Sequence, residues 1–105
     1  MEQPAIMPLP YFDVELEDVF GADSKRLKVS SINNYKGNVR IDFSLSGNIT
    51  NGSVDPPYAW AFLDDNEVHE ATITVSGNTG GTGTLTAVGY DGEDTDSDSI
   101  GVALT

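Results

Sequence analysis

The chain has 105 residues and no cysteine, which excludes a disulfide framework and a thiolate metal site. No apolar run approaches the roughly 18 residues that a helical membrane span requires. The opening residues MEQPAIMPLPYF lack the basic stretch and apolar run of a secretory leader, so the expectation is either a protein whose leader has been removed or one made in the cytoplasm that leaves without the usual export routes. No segment shows a sustained helical period of apolar residues. Cations are scarce: five Lys and Arg stand against seventeen Asp and Glu, for a net charge of −12. A surface of that sign repels nucleic acid and anionic membranes, so neither is expected as a partner.

What is present is unevenly placed. All five cations (Lys25, Arg26, Lys28, Lys36 and Arg40) fall in a window that holds no acid. From Ile41 to the end there are eleven acids and no Lys or Arg. The pattern fits a solvated acidic surface that keeps the protein soluble, a polar molecule with one basic patch and one broad acidic face suited to docking on a charged protein lattice, or adaptation to high salt.

Period-two alternation dominates the chain and marks strands with one buried face. Phe12, Val14 and Leu16 alternate with Asp13, Glu15 and Glu17. Leu27 and Val29 begin a second strand over 26–32. Val39, Ile41, Phe43 and Leu45 share one face of a third, over 38–46. A loop is expected over 47–57. Tyr58–Leu63 and Ala71–Val75 read as further strands, and a glycine-rich loop, SGNTGGTG, follows. The segment lacks the lysine of a phosphate-binding loop and no helix follows it. The last 23 residues, GTLTAVGYDGEDTDSDSIGVALT, read as two strands joined at Asp91–Gly92, a turn dipeptide in which glycine takes positive φ without steric cost. About seven strands with regular turns predict one antiparallel all-β sandwich. Pro4, Pro8 and Pro10 predict an extended arm over 1–10 ahead of a domain over 11–105.

The segments FSLSGNITNGSVDPPYAWAFLDDN and TLTAVGYDGEDTDSDSIGVAL resemble the middle and last strands of PKD-type domains. In that family an F-D-x-S-x-S strand precedes Y-x-W-x-F-G-D-G, and the closing strands carry an SDSVTV-like run. Here Phe43-Ser44-Leu45-Ser46 and Tyr58-Ala59-Trp60-Ala61-Phe62 match, while Leu63-Asp64-Asp65-Asn66 and Ala61 depart. The resemblance covers about residues 38–105 and implies an immunoglobulin-like sandwich used as a spacer or interaction module. It implies no active site, and a fold alone assigns none. Strand parity and the resemblance together place Trp60 in the core with Tyr58 and Phe62 beside it. Tyr35 and Tyr90 are the expected surface aromatics, a slender basis for carbohydrate binding.

Asp94, Asp96 and Asp98 would project from one face of an extended strand, and Ca²⁺ would relieve their repulsion. The spacing is not that of an EF-hand, and the expectation is a solvated acidic turn without cofactor. His69, among Asp64, Asp65, Glu67 and Glu70, is expected in an exposed loop. No nucleophile–base spacing supports an enzyme. Asn48 and Asn51 each begin a glycosylation sequon.

The expected function is that of a non-enzymatic virion accessory or capsid decoration protein docked on a shell or on neighbouring copies of itself. Pro4, Pro8, Pro10, Lys25, Arg26, Lys28, Lys36 and Arg40 are the expected contacts. The alternative is a PKD-like spacer or adhesion module from a secreted or cell-surface protein, with carbohydrate binding as a further option.

Overall fold

A computed structural model describes residues 11–19, 23–32, 34–64 and 67–104. The expected arm over 1–10, with Pro4, Pro8 and Pro10, lies outside the described residues. Eight strands form: β1 (Phe12–Asp18), β2 (Ser24–Ser31), β3 (Gly37–Asn48), β4 (Ser53–Asp55), β5 (Tyr58–Leu63), β6 (Val68–Ser76), β7 (Thr82–Tyr90) and β8 (Thr95–Ala103). They make two antiparallel sheets, ordered β1-β2-β6-β4 and β5-β3-β7-β8. These orders correspond to the two sheets of an immunoglobulin-like sandwich, with β5 added outside β3. The expected all-β sandwich is therefore present, with one strand more than the alternation predicts. That strand is β4, three residues in the segment read as a loop, held against Thr74–Ser76 of β6.

The alternation determines the core. Phe12, Val14 and Leu16 of β1 meet Leu27 and Val29 of β2, Val39 and Ile41 of β3, Ile73 and Val75 of β6, Leu85 and Ala87 of β7, and Val102 and Leu104 at the other end of the chain. Gly89 on β7 faces this core. A Cβ there would lie 2.8 Å from Val14 Cγ2 and 3.1 Å from Val39 Cγ1, so the site has no room for a side chain. At the β7–β8 turn Gly92 adopts φ +104°, as the Asp91–Gly92 dipeptide predicts.

The two sheets meet along one side, where β1 lies against β8. β1 pairs only with β2, so alternate N–H groups point away from its sheet. Two of these donors are taken by side chains of β8. Val14 N–H donates to Asp96 Oδ2 at 2.7 Å, and Leu16 N–H donates to Asp98 Oδ2 at 2.8 Å. Asp96 and Asp98 lie on the same parity of β8 as Ile100 and Val102, so inward-pointing carboxylates replace apolar side chains where the strand passes the open edge of β1. Charged hydrogen bonds of this kind contribute about 1.5–3 kcal/mol each.

Replacing both acceptors in an Asp96→Ala/Asp98→Ala double variant is expected to cost about 2–5 kcal/mol in urea unfolding at neutral pH. Hydrogen exchange should accelerate first at Val14 and Leu16. A double variant as stable as the parent would refute this account of the seam.

Candidate functional site

The outer face of the β5-β3-β7-β8 sheet carries the largest group of exposed aromatics among the described residues. Antiparallel partners share a face, and Val39 and Ile41 of β3 are fully buried. Their partners Ala61 and Ala59 must therefore face inward, which turns Tyr58, Trp60 and Phe62 outward. The expected burial of Trp60 is thus corrected. It is 43% exposed, Tyr58 46% and Phe62 65%, while Ala61 and Leu63 fill the core position. The period of the strand is as expected, but its faces are exchanged. Two alanines suffice inside because β5 is an edge strand over an interior already filled from β3, β2 and β6.

Registers across the sheet bring further residues onto this face. Trp60 lies opposite Arg40, and Arg40 lies opposite Tyr90 on the other side. Tyr58 and Val88 flank Asp42 in the same way. The Arg40 guanidinium carbon sits 4.4 Å above the centre of the Tyr58 ring, and its Nε donates to Asp42 Oδ1 at 3.0 Å. The rings of Trp60 and Phe62 are parallel within 2°, with centroids 6.1 Å apart. Tyr90, 51% exposed, completes the face, and its hydroxyl donates to the Gly92 carbonyl. The arrangement is an aromatic ridge with one cation already neutralised in its middle. It offers apolar contact area and ring faces, and no nucleophile.

The basic window does not assemble into a patch. Lys25 is 6% exposed, on the inward parity of β2 with Leu27 and Val29, and its ammonium pairs with Asp18 at the rim. It buries its stem and reaches the surface only at its tip, which removes it from the expected docking contacts. Arg26 and Lys28 lie on the outer face of the other sheet. Arg26 pairs with Glu17, and Lys28 stands between Glu15 and Glu70 in the strand register. Lys36 lies 3.6 Å from Asp64, and Arg40 belongs to the aromatic face. The cations that are contiguous in sequence are thus divided between two faces and an interior, each beside an acid.

The acidic turn has its own geometry. Asp91 Oδ1 accepts the N–H groups of Glu93 and Asp94, and Asp91 Oδ2 accepts the Tyr35 hydroxyl at 2.7 Å. Tyr35 packs on Phe12 and stacks on Tyr11, so it is a half-buried structural ring rather than a free surface aromatic. Burial first, then its bond to Asp91, pushes the Tyr35 phenol well above its ordinary range. Burial alone would raise the Asp91 carboxyl, but the Tyr35 hydroxyl and the backbone donors outweigh it and hold Asp91 below its ordinary range. Tyr11, Asn34, Tyr35, Asp91, Glu93 and Asp94 line an open cleft of about 330 Å³ here. Its phenol and carboxylate satisfy each other, which leaves neither poised as base or nucleophile. Asp96 and Asp98 share one parity of β8, while Asp94 precedes the strand, in the turn. Asp96 and Asp98 direct an oxygen at β1 rather than at a common point with Asp94. Asp13, beside Glu15 and Asp96, has its carboxyl raised by burial and then by those neighbouring charges. His69 belongs to β6, not to a loop. It lies opposite Val29 on the inward parity and is half-buried, which corrects its expected exposure.

The sequence matches no protein-family profile and no curated protein. Among solved structures, the GAE domain of yeast GGA1 is similar over 90% of this chain and 89% of its own, at 18% identity and a TM-score of 0.31.

The two perturbed carboxyls give opposite pH effects. Asp91 binds a proton less readily in the fold than in the unfolded chain, so its stabilisation is present above its ordinary pKa of 3.8 and is lost as pH falls below it. Asp13 binds one more readily, so its contribution is most favourable in acid and declines as pH rises through its raised value. Tyr35→Phe is accordingly expected to destabilise by about 1–2 kcal/mol at neutral pH and by less in strong acid. Asp13→Asn should leave neutral stability equal or higher. Urea midpoints across the acid range test both, and a Tyr35→Phe penalty independent of pH would contradict the first.

Proposed function

We propose that the protein is a non-enzymatic structural protein that docks on a larger protein assembly, in the manner of a virion or capsid decoration protein. On this reading the outer face of the β5-β3-β7-β8 sheet is the docking surface. The observation that carries the proposal is the ridge of Tyr58, Trp60, Phe62 and Tyr90, large rings on regular strands with 43% to 65% of their area in solvent. Contiguous exposed aromatics mark interaction surfaces, where they supply contact area at small entropic cost. Charge supports the nature of the partner. With a net charge of −12 and no cation after Arg40, the chain is complemented by an apolar patch rimmed with basic residues, not by nucleic acid or anionic lipid. The PKD-like sequence features agree with an interaction module, and the reading places the protein on an assembled shell. Binding only the assembled state stabilises that state by mass action.

A second reading is favoured by one observation. Outward Trp60 and Phe62 with parallel rings suit stacking on sugar faces, so a PKD-like adhesion module that binds polysaccharide is the alternative.

Trp60→Ala and Phe62→Ala probe an exposed surface and should change folding stability by less than about 1 kcal/mol. Assembly binding is expected to weaken roughly tenfold or more for each, a loss of about 1.4 kcal/mol. Co-sedimentation with purified candidate shells reads this directly, and unchanged binding by both variants rejects the face. Retention on insoluble polysaccharide that disappears with Trp60→Ala would replace the assembly reading with the second one. Deleting residues 1–10 separates an arm contribution from that of the face.

A further inference from the structure

Each sheet has two edges, and three of the resulting four are blocked. The outward donors Val14 N–H and Leu16 N–H of β1 are occupied by Asp96 and Asp98. β8 carries the inward acids Asp96 and Asp98 in its first half and follows directly on Asp94. β4 is three residues long, contains Asp55 and runs into Pro56 and Pro57. These are the devices by which sheets avoid pairing with other chains: inward charges, short strands and proline. β5 has none of them within its span, although Pro57 immediately precedes it. Its six residues, Tyr-Ala-Trp-Ala-Phe-Leu, carry no charge and no proline, and β5 pairs on one side only, with β3. Such an edge is a template for strand addition.

We propose that β5 pairs with β5 of a second copy, antiparallel about a two-fold axis normal to the sheet, to make a continuous eight-stranded sheet. Three observations favour a second copy as the occupant. The edge is self-complementary. A two-fold axis normal to the sheet keeps both outer faces on one side, so outward residues meet outward residues. Centring the register on Trp60 sets Trp60 opposite its counterpart and Tyr58 opposite Phe62. All three outward rings then face rings, and Ala59 meets Ala61 inside. Centring on Ala61 would instead leave Tyr58 opposite the charged Asp64. Such a junction also adds no charge of its own, since β5 carries none. Lys36 and Arg40, two of the five cations, lie at or beside the neighbouring strand, within 4 Å of Asp64 and Asp42 respectively. Finally, the acid-rich turn and β8 lie at the opposite edge of the same sheet, away from such a junction.

The absence of cysteine makes the geometry directly testable on the full chain. In the paired state the two Trp60 Cα atoms would be about 4.5–5.5 Å apart, a separation compatible with a disulfide. Trp60→Cys is expected to cross-link to a dimer under mild oxidation much faster than Thr72→Cys, placed on the outer face of the other sheet. Sedimentation equilibrium of the unmodified chain should show a monomer–dimer equilibrium in the micromolar to sub-millimolar range. Tyr58→Lys should weaken it at least about tenfold, or about 1.4 kcal/mol. The double variant Tyr58→Lys/Phe62→Glu should restore it, because this register sets each new cation opposite a new anion of the partner copy. A chain that stays monomeric at sub-millimolar concentration overturns the proposal, as does cross-linking by Trp60→Cys no faster than by Thr72→Cys. A dimer that the double variant fails to restore overturns the Trp60-centred register. None of these measurements involves an assembly partner, so their failure leaves the docking reading standing, and failure of docking leaves the dimer standing.

Discussion

Unpaired backbone donors on β1 are the constraint around which the rest of this sandwich is arranged. An eight-stranded, two-sheet fold without disulfides must close its sides by packing and hydrogen bonding alone. β1 contributes Phe12, Val14 and Leu16 to the core, so it cannot be released from the body, yet it is an edge strand with exposed N–H groups. The chain answers with carboxylates. Asp96 and Asp98 accept Val14 and Leu16 N–H groups and thereby tie the last strand to the first. The cost falls on Asp13, whose carboxyl is raised by burial first and then by the like charges of Glu15 and Asp96. The benefit is double, because the same bonds hold the sheets together and deny the β1 edge to other chains.

That arrangement changes the meaning of the acidic composition. Part of the acid in DGEDTDSDS is structural: Asp91 organises its turn and anchors Tyr35, and Asp96 and Asp98 serve β1. Four of the five cations are likewise drawn into local pairs, and Lys28 stands between two acids in the strand register, so no large basic field survives folding. On the docking proposal, long-range electrostatics would select partners by sign, while contact energy would come from apolar surface. The described residues concentrate that surface on one outer sheet face. On the docking proposal, the contacts would therefore lie on the aromatic ridge rather than on the basic window.

Much of the fold was legible because alternation reports strand period directly. β1, β2 and β7 bury the residues their patterns nominate, β3 and β8 do so in part, with Phe43, Leu45 and Ile100 only half-buried, and the Asp91–Gly92 turn forms where its chemistry requires. What alternation cannot report is which face points inward when both are plausible. In YAWAFL the larger residues suggested the core, but register against Val39 and Ile41 decided for Ala59, Ala61 and Leu63. Lys25 was illegible for a related reason: its parity with Leu27 and Val29 signalled burial, while its charge signalled exposure. β4 is too short to show a period, and it exists because β6 offers three residues of edge. The assignment of Asp96 and Asp98 needed tertiary structure, since their partners lie 82 residues away. One signal was available, though: acids on the parity of Ile100 and Val102 predict that the first half of β8 faces something other than an apolar core.

The two proposals for the aromatic face meet in their geometry. Outward aromatics contribute little to folding, because the stabilisation of a ring comes from the area it removes from water. Tyr58, Trp60 and Phe62 therefore act only through what covers them. Edge pairing at β5 would cover part of each ring and leave the outer face open. A two-fold axis normal to the sheet would turn both outer faces toward the same side. The dimer would then present two copies of the Tyr90–Arg40–Trp60 row on one broad surface. A partner with repeated sites would engage both copies, and the second contact would form at high effective concentration. Modest affinity per face would suffice for firm attachment to a lattice, whereas a single isolated partner would be held weakly. On this argument the unprotected edge and the exposed rings are parts of one device for discriminating an assembled surface from its separate subunits.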